Sequence, residues 1–297
     1  MNAYTREDII NAYKKFKNYV YYDNTSIFLK KELAEFESHS EFNTKIDNFL
    51  KFINSPIEND EFFQNLLSQI SYYLLPKKID TVPLEPESQV ISNRFEQEKY
   101  TVSRLTYLIK APIEIHLVSV LWILENGSTL EKEYYAENYA YKLQLWKNSD
   151  SDENNNRTIF KPYFTQYHNW RDNAITKARN ALRDKYDVLI IGLDLKNYYH
   201  SINFDFEALD VFIKTSNGRL LNELLHKICK SYSKAIGNKK DINLPIGLLS
   251  SGILANWYFH KIDLLIKETI RPASYGRYVD DILIVILNPV KLHNPSK

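Results

Sequence analysis

Acidic side chains stand at two places in this 297-residue chain where strands could present them to cations. Asp194 ends the apolar run VLIIGL that begins at Val188, and Asp280-Asp281 lie between SYGRYV and ILIVIL, 86 residues further on. The apolar runs predict a short buried strand at Val188–Ile191, with Gly192 allowing close backbone approach, and a hairpin bearing the acid pair at its tip. Taken singly, each feature has an ordinary reading, because Asp caps helices and is favoured in turns. Two adjacent acids without the Gly or Asn of a tight turn fit that reading less well. Brought together, three carboxylates would repel one another unless divalent cations neutralised them. Oxygen-only ligands favour Mg²⁺ or Mn²⁺ over zinc. Two such ions about 4 Å apart can activate an attacking hydroxyl and stabilise a leaving pyrophosphate, and phosphoryl transfer needs little else.

A third segment, LPIGLLSSGILAN from Leu244 to Asn256, combines a Pro245–Gly247 turn with Ser250-Ser251, which could cap a following helix. The small residues there, Gly247 and Ser250 among them, would let a flat ligand approach closely. Residues 157–186 carry seven cations, Arg171 among them, against Asp172 and Asp184. Aromatic Phe160, Tyr163, Phe164, Tyr167 and Trp170 interleave with them. Basic plus aromatic is the composition of a phosphate-and-base surface, and equally that of a charged helix with one packed face.

These segments must be held by the rest of the chain, whose composition is that of a globular protein: 44% hydrophobic and 25% charged. Lys+Arg total 38 against 37 Asp+Glu, so contact with a polyanion must be local. One cysteine, Cys229, excludes internal disulfides and multi-cysteine zinc motifs. The apolar stretch Ile113–Leu124 is too short to span a bilayer and contains Glu114 and His116. The N-terminal MNAYTREDIINAYKKF has no apolar signal core. A reduced, soluble, cytoplasmic protein with no membrane partner is expected.

The first half reads as helical. Thr5 and Asp8 suggest a cap, followed by Ile9, Tyr13, Phe16 and Val20 at helical spacing. Phe36, Phe42, Ile46, Phe49, Leu50 and Ile53 suggest a second helix ended by Pro56. Phe62, Phe63, Leu66, Leu67 and Ile70 suggest a third ended by Pro76. Asn126-Gly127 reads as a turn or C-cap, and Glu131–Leu145 as a tyrosine-rich helix. Thr81–Gln89 and Ser149–Asn156 read as loops.

The order and spacing of DLKNYYHSI, LPIGLLSSGILAN and YGRYVDDILIV resemble the palm of reverse transcriptases. From about Phe95 to Leu287 the chain resembles the abortive-infection and defence-associated bacterial reverse transcriptases, the group containing AbiA and AbiK. APIEIHLVSVLWILENG and YFTQYHNWRDNAI add to that likeness. The resemblance implies an α+β architecture: a largely helical N-terminal and fingers region over 1–150, then a fingers–palm unit over 157–297 whose small antiparallel sheet bears the YVDD hairpin. It implies Asp194, Asp280 and Asp281 as catalytic metal ligands, with the Leu195 carbonyl as a further ligand to two Mg²⁺ or Mn²⁺ ions. Tyr199 would be an aromatic gate against a ribose 2′-OH, and Gly247, Ser250 and Arg171 would bind nucleotide.

Two departures stand out. Ile246 replaces the usual Gln of the LPQG turn, and no fingers hairpin with a basic nucleotide clamp is legible. Both are typical of the abortive-infection group, some of whose members polymerise without template from a protein hydroxyl. The expected function is therefore a DNA polymerase of reverse-transcriptase type in anti-phage defence, taking dNTPs. Synthesis would be template-independent and tyrosine-primed, with the DNA product attached to the protein; homo-oligomers are also implied. After Leu287 only NPVKLHNPSK remains, so a thumb is expected to be missing. The alternative expectation is a catalytically silent palm acting as a binding or oligomerisation module.

Overall fold

The computed structural model describes residues 3–23, 26–38, 40–80, 101–133, 137–144 and 158–289, without the side chains of 78–80 and 101–104. The loops expected at 81–89 and 149–156 lie outside the described residues. Helices and two small antiparallel sheets make an α+β fold. Four N-terminal helices, α1 (Arg6–Tyr22), α2 (Ile27–Ser38), α3 (Phe42–Asn54) and α4 (Asp60–Ser68), precede a two-stranded sheet of β1 (Ser71–Asp80) and β2 (Thr101–Lys110). Next come α5 (Ile113–Glu131), α6 (Tyr163–Arg183) and β3 (Val188–Asp194). Then follow α7 (Tyr198–Ser201), α8 (Phe206–Asp210), α9 (Ser216–Ala235) and α10 (Leu249–Ile270), before β4 (Ser274–Tyr278) and β5 (Asp281–Leu287). Among the described residues, no helix is long and apolar enough to cross a membrane.

α1 starts as its sequence requires. Thr5 Oγ1 accepts from the Asp8 amide while Asp8 accepts from the Thr5 amide, a reciprocal cap that satisfies two otherwise orphaned donors. Its apolar stripe, Ile9, Tyr13, Phe16 and Val20, is buried. The apolar run from Phe36 to Ile53 does not form one helix. The chain turns at Ser40-Glu41, and Phe36 and Phe42 meet edge-on across the break, 5.7 Å apart. The next helix ends at Ser68, eight residues before Pro76. Pro76 lies in β1, where the register shifts between it and Lys78; a bulge tolerates the missing N–H.

α5 is the hub. From Ile113 to Ile123 every side chain is buried, and the helix packs on α1, α9 and α10. Asn126-Gly127 does not end it. Asn126 Nδ2 donates to the Gly218 carbonyl at 3.2 Å, and a Cβ on Gly127 would stand 3.1 Å from Leu143. Close helix packing, not a turn, is what these two residues serve. No helix forms over 137–144; Asn138 bridges to Arg277 and Leu143 to Phe160. Leu145 lies outside the described residues.

The second sheet has the order β3-β5-β4. Central β5 is covered on both faces: Ile282 and Ile284 enter the main core, while Leu283, Val285 and Leu287 meet Ala174 and Ala178 of α6. β3 is an edge strand rather than a buried one, with Leu189, Ile190 and Leu193 40–49% exposed. Nothing lies within 4 Å of a Cβ built on Gly192, so no close approach occurs there. The main core runs without interruption from Ile9 to Ile284, and includes Cys229 on α9. Burial raises the Cys229 thiol pKa far above its ordinary value.

Candidate active site

Strand pairing assembles the acids. β3 and β5 run antiparallel with Asp194 opposite Asp281, and β4 places Tyr278 on the other flank of Asp281. Val279 and Asp280 form the two-residue reversal between β4 and β5. The Leu195 amide donates to the Asp280 carbonyl at 3.0 Å, which ties the tip of the hairpin to the chain leaving β3. All three predicted carboxylates thus share one end of one sheet.

Their electrostatics follow from that arrangement. Burial raises the Asp280 pKa, with a further upward push from Asp194 and a partial offset from Lys77. Burial also raises Asp281, as do the neighbouring charges of Asp280 and Asp194. Like charges opposite one another on a sheet are unfavourable, and oxygen donors in excess of local cations suit a hard divalent ion. Among the described residues, no three His, Cys, Asp or Glu side chains converge to hold a metal ion. Donor chemistry and charge therefore fit such an ion, while the side chains stand apart.

A carboxyl whose folded-state pKa is raised contributes stability below its unfolded pKa, and that contribution is lost as pH rises through the folded value. At neutral pH the acid pair is therefore a destabilising charge. Without divalent ions, Asp280→Asn should melt a few degrees above the parent at pH 7, and the gap should close below about pH 4. Thermal melts across that range check it; a variant that melts lower than the parent at pH 7 refutes it.

Tyr199 on α7 and Tyr141 are both partly buried against the core. Burial pushes both hydroxyls upward, and both feel the charge of Asp280. Gly252 makes room for the Tyr141 ring, since a Cβ there would stand 2.5 Å from its atoms. Neighbouring Tyr198 donates to the Ala255 carbonyl at 2.6 Å.

Gly247 adopts φ +97°, and a Cβ on it would meet Leu108 at 2.7 Å. The Pro245–Gly247 turn is thereby locked against β2, where the Ile109 amide donates to the Ile246 carbonyl at 2.8 Å. Ser250 is fully buried, and its hydroxyl pairs with Ser119 of α5 at 2.9 Å. That hydroxyl joins two helices instead of facing a ligand. Neither serine caps α10, whose N-cap is Leu248. Arg171 is exposed and paired with Asp172 at 2.8 Å. The α6 aromatics divide: Trp170 is buried and packs with Tyr167 around Tyr278, bracing the hairpin, whereas Tyr163 and Phe164 face solvent.

The structure also supplies what sequence reading lacked. An antiparallel strand pair, β1–β2, precedes α5, and Lys77 on it is exposed and acts on Asp280. Pro76 and the separation of about twenty residues between the strands hid it. Arg277, within the hairpin strand, is wholly buried and salt-bridged to Asp263 at 2.7 Å. An arginine inside an otherwise core-facing strand was the available signal.

A family model described as reverse transcriptase (RNA-dependent DNA polymerase) matches residues 133–296, which include α6, the second sheet and all three acids. With more than half of its length matched, and the mixed helix-and-sheet fold that supports the match, this chain belongs to the reverse transcriptase family.

Proposed function

We propose that this chain is a metal-dependent DNA polymerase of the abortive-infection group, with 1–150 as the helical and fingers region and 157–297 as the palm. The observation that carries the reading is Asp194 facing Asp281 across the sheet with Asp280 beside them. These three side chains, with the Leu195 carbonyl, would hold two Mg²⁺ or Mn²⁺ ions. Such ions, when bound, would neutralise the triphosphate and activate the attacking hydroxyl.

The chain's own groups set the rest. Lys77, whose charge reaches Asp280, would supply a cation to triphosphate oxygens. Tyr199, packed against the core, would press against the sugar and reject a 2′-OH. Tyr199→Ala should raise ribonucleotide use relative to deoxynucleotide by roughly 10–100-fold. Tyr199→Phe keeps the ring and should keep the discrimination. Relative kcat/KM for matched ribo- and deoxynucleotides measures both; unchanged selectivity in the alanine variant would remove the gate.

Template-independent, tyrosine-primed synthesis in anti-phage defence is part of the proposal, supported by Ile246 at the turn and the near-neutral charge. Incubation with labelled dNTP and Mn²⁺ tests it. Label covalently bound to protein without added template supports self-priming; strict dependence on template and primer refutes it. The absence, among the described residues, of a convergent metal cluster favours a second reading, a silent palm serving in assembly. A thermal shift with Mn²⁺ and dNTP that Asp194→Ala abolishes would exclude that alternative.

A further inference from the structure

Val279, the first of the two reversing residues, has φ +58°. A β-branched side chain in left-handed backbone is a true outlier, because Cβ crowds the neighbouring carbonyl. Such a conformation persists only where its surroundings over-determine it.

The neighbouring arginine provides that constraint. Arg277 is 0% exposed, and every nitrogen of its guanidinium has an acceptor. Nε and Nη2 donate to the two oxygens of Asp263 at 2.8 and 2.7 Å. Nη2 also donates to the Asn256 carbonyl at 3.1 Å, and Nη1 to Asn256 Oδ1 at 3.2 Å. The remaining bond runs from Nη1 to the carbonyl of Val279, at 2.9 Å. The Phe259 ring lies 5.0 Å from the guanidinium carbon, and the Tyr275 hydroxyl bonds to Asp263 as well. The Arg277 main chain is docked too: its amide donates to the Glu137 carbonyl at 3.0 Å, and its carbonyl accepts from Tyr139 at 2.9 Å.

A buried ion pair is a weak route to stability, since apolar residues of similar volume often serve as well. What they could not do is hold the carbonyl of the strained residue one position before Asp280. We infer that Arg277 is a positioning residue: it anchors the Val279 carbonyl to α10 and so fixes where the Asp280 carboxylate stands. This rests on the reading of Asp280 as a site carboxylate. Lysine cannot replace it, because one ammonium cannot span Asp263, Asn256 and the turn at once.

The test uses the full chain with Arg277→Lys and Arg277→Met, hydrogen exchange of segment 278–282, and steady-state nucleotide incorporation. In the lysine variant, exchange in 278–282 should quicken at least about 10-fold while α10 and β3 keep their protection. Its kcat should fall about 10²-fold, as a misplaced reacting group does, with dNTP KM changed less than about threefold. Exchange that is unchanged in the turn, or raised equally through α10, β4 and β5, overturns the proposal. So does a quickened turn with unaltered kcat in a chain whose parent is active. If the turn quickens and the parent incorporates nothing, the polymerase reading falls while the anchoring stands. Should the methionine variant fail to fold, the lysine variant carries the test.

Discussion

Asp280→Ala should abolish deoxynucleotide incorporation, by at least about 10³-fold in kcat, while the protein stays folded. The magnitude is that of removing a group which meets charge in the transition state. The fold should survive because the contact that ties the tip to β3 uses the Asp280 main-chain carbonyl, not its side chain. Removing the carboxylate also relieves its repulsion with Asp194 and Asp281. Asp280→Asn, nearly the same in shape, should lose as much activity, which assigns the loss to charge. Incorporation within about tenfold of the parent in either variant would end the claim that this end of the sheet does the chemistry.

Trp122→Ala should cost about 3–5 kcal/mol, the range for deleting a buried aromatic side chain. For a chain of this length that lowers the melting temperature by roughly 10 °C. Trp122 is fully buried on α5, and its Nε1 donates to Asn222 Oδ1 at 3.2 Å. Asn222 is committed elsewhere too, to Asp210 at 2.7 Å and to the Phe206 carbonyl at 3.3 Å. Loss of the indole therefore leaves a cavity and an unpaired buried amide oxygen together. Trp122→Phe retains most of the volume and loses the donor, so it should fall between the two. Denaturant titration checks the order; a cost below about 1 kcal/mol for the alanine variant would mean that the helix packing collapses around the gap.

The legible parts of this molecule were those whose cause is local. Asp194 at a strand end, the Asp280 reversal and the Gly247 turn each follow from a few adjacent residues, and strand register sets Asp194 opposite Asp281. The α1 cap was legible for the same reason. Parts decided by distant partners were not. Ser250 looked available until Ser119, 131 residues away, took its hydroxyl. Val188–Ile191 has the composition of a buried strand, yet its place at the sheet edge leaves much of it exposed. Pro76 was misleading because it marks a bulge in β1, and strand pairing is a property of two segments. Arg277 depends on Asn256 and Asp263, which no short-range pattern links to it.

Cys229 has a practical consequence. The chain's one thiol is sealed inside α9 and poor in thiolate, so alkylating reagents should leave the native protein untouched. A cysteine introduced at exposed Lys227 would then take a single fluorophore with no background. In the unmodified chain, the slow appearance of alkylated Cys229 becomes a clock for how often the interior opens.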